Sequence, residues 1–361
     1  MGANMVYGCT TSKRCKQAFE LKFPFLHPYT STRRLTKTNT SSCTKQLTMN
    51  EFHDSGELYT IRNQFYTNQH HKVASYSLDL FSPENQLKVL EFQVRSLVAL
   101  AKDASQLIEE GRLLFPDNDD LFDVLQAWND LMTFGTDDST YFEDIEVANF
   151  ELQAVLTALY TVKFQKDIDA AINLLVSYTN SSNNNLHELE PYLILVQLYL
   201  IKENFSEANK IYQSFRKFPD SARDSIIYQV LESWILSIKG ESDNISNAYY
   251  FYDELLSSDF EDDPQGKFRI LNVLFALTLQ LNHFPEAKEL LNQITALGYL
   301  GNGNADLLAN QITFDYLTNG GANVGSLLKQ LYATEPDHQL LVDLKDKNDK
   351  FNDIVAKYQL A

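Results

Sequence analysis

The side chains that could do chemistry are scattered through the 361 residues without the spacing that catalysis or metal binding needs. None of the seven histidines forms the His-Glu-x-x-His pattern, which places two zinc ligands on one helix face. His70 and His71 fall in a polar stretch, and we expect both rings to be solvated in a turn. The histidines therefore predict no metal site.

One acidic stretch resembles the start of a calcium-binding loop. Residues 117–120 read Asp-Asn-Asp-Asp. A calcium loop needs glycine at its sixth position and glutamate at its twelfth, where this chain has Phe122 and Trp128. Carboxylates are stabilised near a helix N-terminus by the helix dipole. We therefore interpret this stretch as the acidic first turn of a helix.

Phosphate-binding and nucleophile motifs are also missing from the sequence. Gly301 and Gly303 lack the third glycine and the preceding strand of a dinucleotide-binding loop, so we predict a turn there. No Gly-x-x-x-x-Gly-Lys loop and no Gly-x-Ser-x-Gly turn occurs. With 48 acidic residues, no single pair stands out as a general acid and base. The sequence predicts a protein that is not an enzyme and that uses no cofactor.

Charge is distributed unevenly around a net value of −18. Residues 1–48 hold eight basic side chains and one acidic one, a net +7, and the remainder holds 22 basic and 47 acidic, a net −25. So acidic a body repels a phosphate backbone and anionic lipid, which argues against nucleic acid and against direct membrane adhesion. No run of about 18 apolar residues occurs, so we predict no transmembrane helix.

The first 48 residues differ from the rest in composition as well as charge. They are rich in Ser and Thr, hold all three cysteines, and end just before Met49. Three interpretations stay open: a mitochondrial transit peptide, a disordered basic tail, or an upstream extension ahead of a true initiator at Met49. The predicted organisation is thus a disordered or non-native extension, 1–48, and a folded body, 49–361. A body without cysteine fits the cytosol.

The body is predicted to be helical. From Met49 onward apolar residues recur every three or four positions, as they do on one face of an α-helix. Short turn-like sequences separate these stretches. We predict about a dozen or more antiparallel helices of ordinary length. The clearest stripes are Leu58, Ile61, Phe65, and Leu87, Leu90, Val94, Leu97.

Four alanines mark a repeat of helix pairs. Ala171, Ala208, Ala248 and Ala287 are spaced by 37, 40 and 39 residues. A small residue on the second helix is typical of the tetratricopeptide repeat, a helix–turn–helix of about 34 residues. We predict an all-α, tetratricopeptide-like α-solenoid, a superhelix of antiparallel helix pairs with a helical C-terminal cap at about 335–361. An irregular helical bundle is the alternative.

Two copies of the repeat have definite predicted boundaries. The first begins at Ser55 and places Ala74, Leu78 and Phe81 on its second helix. Another begins at Leu189 and ends at Pro219. On its first helix the large positions are held by Tyr192, Leu195 and Tyr199.

First helices line the concave wall of such a superhelix, where an extended peptide or a helix can bind. The acidity of the body favours a partner segment with basic rims. A co-chaperone or adaptor that binds peptide segments is an alternative function, although a carboxylate clamp would need Lys or Arg. The predicted partner-binding residues, none of them basic, are Tyr59, Asn63, Tyr66, Leu193, Gln197 and Asn272.

Several stretches resemble the epsilon subunit family of coatomer, the COPI vesicle coat. The resemblance covers 52–361 and is less clear over about 115–190. The Asn- and Ser-rich body with little cysteine is similar to a fungal member. The stretches are Gly-Glu-Leu-Tyr-Thr-Ile-Arg-Asn-Gln-Phe-Tyr (56–66), Glu-Ala-Lys-Glu-Leu-Leu (286–291) with Asn-Ala-Asp-Leu-Leu-Ala-Asn (304–310), and Asp-His-Gln-Leu-Leu (337–341) with Lys-Asn-Asp-Lys-Phe-Asn-Asp-Ile-Val-Ala-Lys-Tyr (347–358).

The resemblance implies a non-catalytic structural subunit that binds and stabilises the C-terminal domain of the coatomer alpha subunit. It also implies a place in the cytoplasm, on the cytoplasmic side of Golgi membranes and on COPI-coated vesicles, in retrograde transport to the endoplasmic reticulum. Membrane contact would be indirect, through the coat. The family has no basic extension of this kind, which favours initiation at Met49. A mitochondrial import or assembly factor remains an alternative that rests on residues 1–48 alone.

Overall fold

All regular secondary structure in the residues described by the computed structural model is helical, as the sequence predicts. These residues form two compact units, the N-terminal unit (54–184) and the C-terminal unit (186–359). Residues 1–48 and Met49 lie outside the described residues, so the predictions made for them stay predictions. The described ranges are 54–136, 140–184, 186–218, 220–299 and 304–359.

The N-terminal unit is built around its longest helix, α3, against which α1, α2 and α5 pack. Two 3-10 turns, Leu78–Leu80 and Tyr141–Glu143, and a π-helical turn, Thr161–Gln165, interrupt the regular helices. The helices are α1 (Asp54–Tyr66), α2 (His70–Ala74), α3 (Pro83–Ala99), α4 (Ser105–Leu114), α5 (Asp119–Thr133), α6 (Glu151–Tyr160) and α7 (Ile168–Thr179).

The second helix of the first predicted repeat is shorter than predicted. Helix α2 ends at Ala74, and a 3-10 turn occupies Leu78–Leu80, so the prediction of one helix through Leu78 and Phe81 is wrong. Pro83 accounts for the start of the next helix, because proline disfavours helical backbone in the residue before it and is preferred at the first helical position. Phe81 nevertheless keeps the buried position expected of it.

A carboxylate from α1 binds the start of α3 at this junction. Glu57 on α1 accepts hydrogen bonds from the backbone N–H of Ser82 (3.0 Å), the Ser82 hydroxyl (2.6 Å) and the Asn85 amide (2.9 Å). These hydrogen bonds, from the Ser82 hydroxyl above all, lower the pKa of Glu57. The N-terminus of α3 is thus stabilised by a negative charge on a neighbouring helix.

The C-terminal unit repeats one motif, a helix packed antiparallel on the next. Helices α8 and α9, α11 and α12, α13 and α14, and α15 and α16 form the pairs, and α8 also packs on α11 as α13 packs on α15. The helices are α8 (Glu190–Ile201), α9 (Phe205–Ser214), α10 (Asp220–Arg223), α11 (Ile226–Lys239), α12 (Ser242–Leu255), α13 (Pro264–Gln280), α14 (Phe284–Ala296), α15 (Asn304–Asn319), α16 (Val324–Thr334) and α17 (Gln339–Gln359).

The alanine register is confirmed. Ala171 lies on α7, Ala208 on α9, Ala248 on α12 and Ala287 on α14, each the second helix of its pair. None is more than 1% exposed. A methyl side chain lets the two helices of a pair approach closely, and a larger one would have to displace a backbone. Pro219, the predicted end of one copy, lies outside the described residues.

The last helix departs from this pattern. Leu340 and Leu341 join the apolar cluster of α15 and α16. Beyond the first turn of α17 the described side chains are exposed, apart from partial burial of Asp343 and Val355. None of the described helices is long and apolar enough to cross a membrane.

Candidate partner-binding surface

Three of the six predicted partner-binding residues share one face of α1 in the N-terminal unit. Tyr59 is half exposed and Asn63 is partly exposed, whereas Tyr66 is buried. The ring of Tyr66 packs edge-on against Phe65 at 5.2 Å and against Phe92 at 6.3 Å between centroids. The accessible part of this face is therefore Tyr59 and Asn63.

The other three residues lie inside the C-terminal unit. Leu193 and Gln197 on α8 are 1% and 3% exposed, and Asn272 on α13 is 5% exposed. Helix α8 is apolar on nearly all sides, so it is covered on nearly all sides. Contact of the six residues with a partner stays a prediction. In the structure as it stands, these three side chains face neighbouring helices.

An asparagine pair joins successive first helices. Asn310 on α15 donates from Nδ2 to Oδ1 of Asn272 on α13 over 3.0 Å, and both side chains are buried. Sequence reasoning singled out Asn272 but missed Asn310. The signal was present, because the two residues are 38 apart, within the repeat spacing that the alanines define.

Tyrosines tie the helix pairs together and are not poised for proton transfer. Tyr212 on α9 donates from Oη to Glu232 on α11, and burial, reinforced by that carboxylate, raises its pKa. The Ser233 hydroxyl donates to Tyr252 Oη over 3.1 Å, and burial raises the pKa of Tyr252 to about 12. Both phenols stay protonated near neutral pH, as structural hydroxyls do.

The π-helical turn of the N-terminal unit places a lysine among aromatic rings. Nζ of Lys163 lies 5.9 Å from the Trp128 ring centroid and 5.4 Å from that of Phe164. Burial, and to a smaller extent the charge of Lys166, lowers the pKa of Lys163 to about 8. Ring faces attract a cation, which offsets part of the cost of burying it. We interpret this contact as packing of the turn.

The two predicted solvated histidines differ. His71 is exposed, but His70 is buried, with Nδ1 3.2 Å from the Ser96 hydroxyl and its ring 5.5 Å from Phe65. The prediction for His70 is therefore wrong. The polar stretch begins α2 at His70, and this turns the ring toward α1 and α3.

A second buried histidine anchors the C-terminal helix. Nδ1 of His338 accepts the backbone N–H of Leu340 (3.2 Å), so the hydrogen resides on Nε2, which lies 3.3 Å from Oδ1 of Asp306 on α15. The pair fixes the first turn of α17 against α15. Across the described residues, no group of three His, Cys, Asp or Glu side chains is arranged to hold a metal ion.

The acidic stretch at 117–120 is confirmed as a helix start, because α5 begins at Asp119 with Asp119 and Asp120 in its first turn. Gly301 and Gly303 lie outside the described residues. The described residues therefore form packed helix pairs whose buried polar contacts hold the helices together.

The sequence profile of the coatomer epsilon subunit matches residues 144–359. The matched stretch is more than half of the chain and includes the described C-terminal unit. The chain belongs to the coatomer epsilon subunit family.

Members of the coatomer epsilon family are structural components of the COPI coat, and this chain is accordingly a coat subunit of vesicle transport. The matched stretch contains the two C-terminal resemblances, at 286–310 and 337–358. The opening helix, 56–66, lies before it, so its resemblance to the family stays a prediction. No curated protein matches the chain significantly.

Proposed function

We propose that this coatomer epsilon family member binds and stabilises the C-terminal domain of the coatomer alpha subunit, in support of retrograde transport from the Golgi to the endoplasmic reticulum. It would act on the cytoplasmic side of Golgi membranes and on COPI-coated vesicles, and touch the membrane only through the coat. The observation that carries the proposal is the family match over 144–359.

The packing of the helix pairs supports a binding role. Ala208, Ala248 and Ala287 are fully buried at close crossings, which hold neighbouring helices in fixed positions. A surface that is already ordered loses little conformational entropy when a partner binds. A repeat array of this kind can therefore present several helices to one partner without first rearranging.

The negative charge of this chain favours a partner surface that carries basic residues. The chain after residue 48 carries a net −25. Complementary charges across an interface raise the association rate and the specificity more than the affinity. We expect the surface of the alpha subunit that meets this chain to carry basic residues around an apolar centre, and we expect the association rate to fall with added salt.

On the N-terminal unit, Tyr59 and Asn63 are the predicted contacts with exposed surface. Tyr59 is 50% exposed on the first helix of its unit. Tyrosine is enriched among the residues that dominate interface energies, because it buries a large ring and keeps a hydroxyl for hydrogen bonding. Tyr59 is therefore the best single position for a test of where the partner binds.

The test is purification of the full chain together with the C-terminal domain of the alpha subunit, followed by affinity and thermal-stability measurements on the pair. We expect a stoichiometric complex in which the alpha domain melts at a higher temperature than it does alone. Tyr59→Ala should weaken binding about 10-fold. Tyr250→Ala is the matched control, because Tyr250 is 67% exposed on a second helix, α12, and should leave affinity unchanged.

The possible outcomes distinguish the proposed binding function from the proposed location of the binding surface. A chain that never forms a complex with the alpha domain would refute the proposed function, and capture of unrelated peptide tails instead would favour an adaptor. A complex that Tyr59→Ala and Tyr250→Ala weaken equally would keep the function and refute only the predicted surface.

A further inference from the structure

Beyond Leu341, which packs on α15 and α16, the C-terminal helix presents an apolar face that the described residues of its own unit leave largely uncovered. Leu344, Phe351 and Tyr358 on α17 are 40%, 57% and 79% exposed. With their neighbours they recur at alternating intervals of three and four residues, which places them along one side of the helix. We name this face the C-terminal stripe: Leu341, Leu344, Asn348, Phe351, Val355 and Tyr358.

The spacing of the stripe is that of a coiled-coil seam. Leu341, Asn348 and Val355 are seven residues apart, and so are Leu344, Phe351 and Tyr358. Written as a heptad, the first set takes the a positions and the second the d positions. A single Asn among apolar a residues is the usual device that fixes register and oligomeric state in such helices.

The residues beside the stripe are basic or neutral. Lys347 flanks it on one side, and Lys345 and Asn352 flank it on the other. The four aspartates fall on the remaining faces of the helix, where Asp343 pairs with Lys347 at 3.5 Å. A partner helix therefore meets no carboxylate along the edges of the stripe. The aspartates are Asp343, Asp346, Asp349 and Asp353.

A helix of this kind that packs on nothing has little stability relative to the unfolded chain. Single helices in water are marginal, and most helices in proteins depend on packing of an apolar face. The start of α17, at Leu340 and Leu341, is the part that packs on α15 and α16. A second surface packed on the stripe would stabilise the rest of the helix, because it would remove the apolar side chains from water.

We propose that the cover is a second copy of this chain, with the two α17 helices paired in parallel as a short coiled coil. In that register Asn348 meets Asn348 of the other copy, and each carboxamide can both donate and accept a hydrogen bond. Lys347 lies beside Asn352 of the other copy, so no like charges meet across the seam. This proposal does not depend on the interaction with the alpha subunit.

The antiparallel arrangement is less favourable. It would place Asn348 opposite Phe351 of the other copy and leave a buried carboxamide without a partner, which costs the desolvation energy of that group. The parallel arrangement satisfies the same group. Asn348 thus selects the direction of pairing as well as its register.

Net charge gives the association a distinctive salt dependence. Each copy carries −18, and parallel pairing brings the two acidic bodies to the same end of the coil. Their repulsion opposes association and is screened by salt. The dimer should therefore tighten as ionic strength rises, which is opposite to the behaviour of an interface held by salt bridges.

The experiment is sedimentation equilibrium of the full chain from micromolar to submillimolar concentration, at low and at high ionic strength. We expect a reversible monomer–dimer equilibrium that shifts toward the dimer at high salt. Leu344→Asp should shift the dissociation constant at least ~10-fold toward monomer, because it buries a carboxylate in the seam. Val342→Asp is the matched control: Val342 is equally exposed at 40% but lies off the stripe.

Three results would overturn the proposal. The first is a chain that stays monomeric at every concentration and salt level. The second is a dimer that Leu344→Asp and Val342→Asp weaken to the same extent. The third is a monomeric chain in which Leu344→Asp weakens binding to the alpha domain while Val342→Asp does not, since this would assign the stripe to that partner. Circular dichroism of each variant verifies that the helices are retained.

Discussion

Both units place alanine where the second helix of a regular pair packs, as Ala171 does in the N-terminal unit, but one crossing of the N-terminal unit is different. In the C-terminal unit, Ala208, Ala248 and Ala287 lie at close crossings of helices that follow one another in pairs. In the N-terminal unit the close approach of α4 to α5 uses Gly111, where a Cβ atom would lie 2.5 Å from Cε1 of Phe122. Regular pairs thus use alanine, and this irregular crossing uses glycine.

The N-terminal unit also contains a buried ion-pair network, whereas the C-terminal unit buries single polar pairs. In the N-terminal unit Lys88 on α3 donates to Glu91 and to Glu151 on α6, each over 2.9 Å, and Arg95 pairs with Glu91 at 3.2 Å. The Glu91 and Arg95 side chains are 4% and 6% exposed. The corresponding pair on α9, Glu207 with Lys210, is solvent-exposed. The comparison teaches that both units hold helices together with buried polar contacts, and that the N-terminal unit does so with a network that joins two helices.

The largest effect is expected from removal of the buried carboxylate. Glu91→Ala would leave Lys88 and Arg95 without the anion they share, and the loss of a buried ion-pair partner costs about 3–5 kcal/mol. Glu207→Ala removes an exposed partner and should cost under about 1 kcal/mol. Urea unfolding of both variants measures the difference. Equal midpoints for the two would refute the contrast between the units.

A smaller effect is expected from overfilling a regular crossing. Ala208 is 0% exposed on α9, so Ala208→Phe must displace a neighbouring helix, at a cost of about 3 kcal/mol. Ala333→Phe is the matched control, because Ala333 is exposed on α16, also a second helix. Its thermal midpoint should stay near that of the wild type. Unchanged thermal stability of Ala208→Phe would contradict the repeat register.

The smallest effect concerns a turn of the C-terminal unit. Asp315 accepts hydrogen bonds from the Asn319 and Asn323 amides at 3.0 and 2.9 Å, and these contacts lower its pKa from 3.8. A lowered pKa means that this contribution to stability is present above pH 3.8 and is lost as the pH falls through the folded-state value.

Asp315→Asn should therefore lower stability at neutral pH and show a smaller loss than the wild type on acidification well below pH 3.8. Urea midpoints of the two proteins at both pH values provide the measurement. A wild type and a variant that lose equal stability on acidification would show that this carboxylate contributes nothing.

The regular part of the fold could be predicted from sequence because it depends on spacing alone. Ala171, Ala208, Ala248 and Ala287 needed only a repeat length to be assigned to buried crossings, and all four are there. The same logic failed at Ala74. There the helix ends and a new one begins at Pro83, with Glu57 of another helix bonded to its first turn, and no periodicity contains that information.

The candidate surface was harder to predict than the fold. Gln197 and Asn272 look like groove residues because they are polar and lie between packing positions, yet both are buried. Their burial depends on which helix packs against them, and the apolar pattern of a single helix does not show which helix that is. His70 illustrates the same limit. Its polar neighbours in the sequence predicted an exposed ring, but in the fold the ring packs against Ser96 and Phe65.

The packing of each helix on the next in sequence has a consequence for how the C-terminal unit folds. The contacts of α8 with α9, of α11 with α12 and of α13 with α14 close only short loops. Short loops lose little entropy on closure, and chains dominated by such contacts fold quickly. Each pair can form as soon as its two helices have left the ribosome, so assembly can follow the order of synthesis.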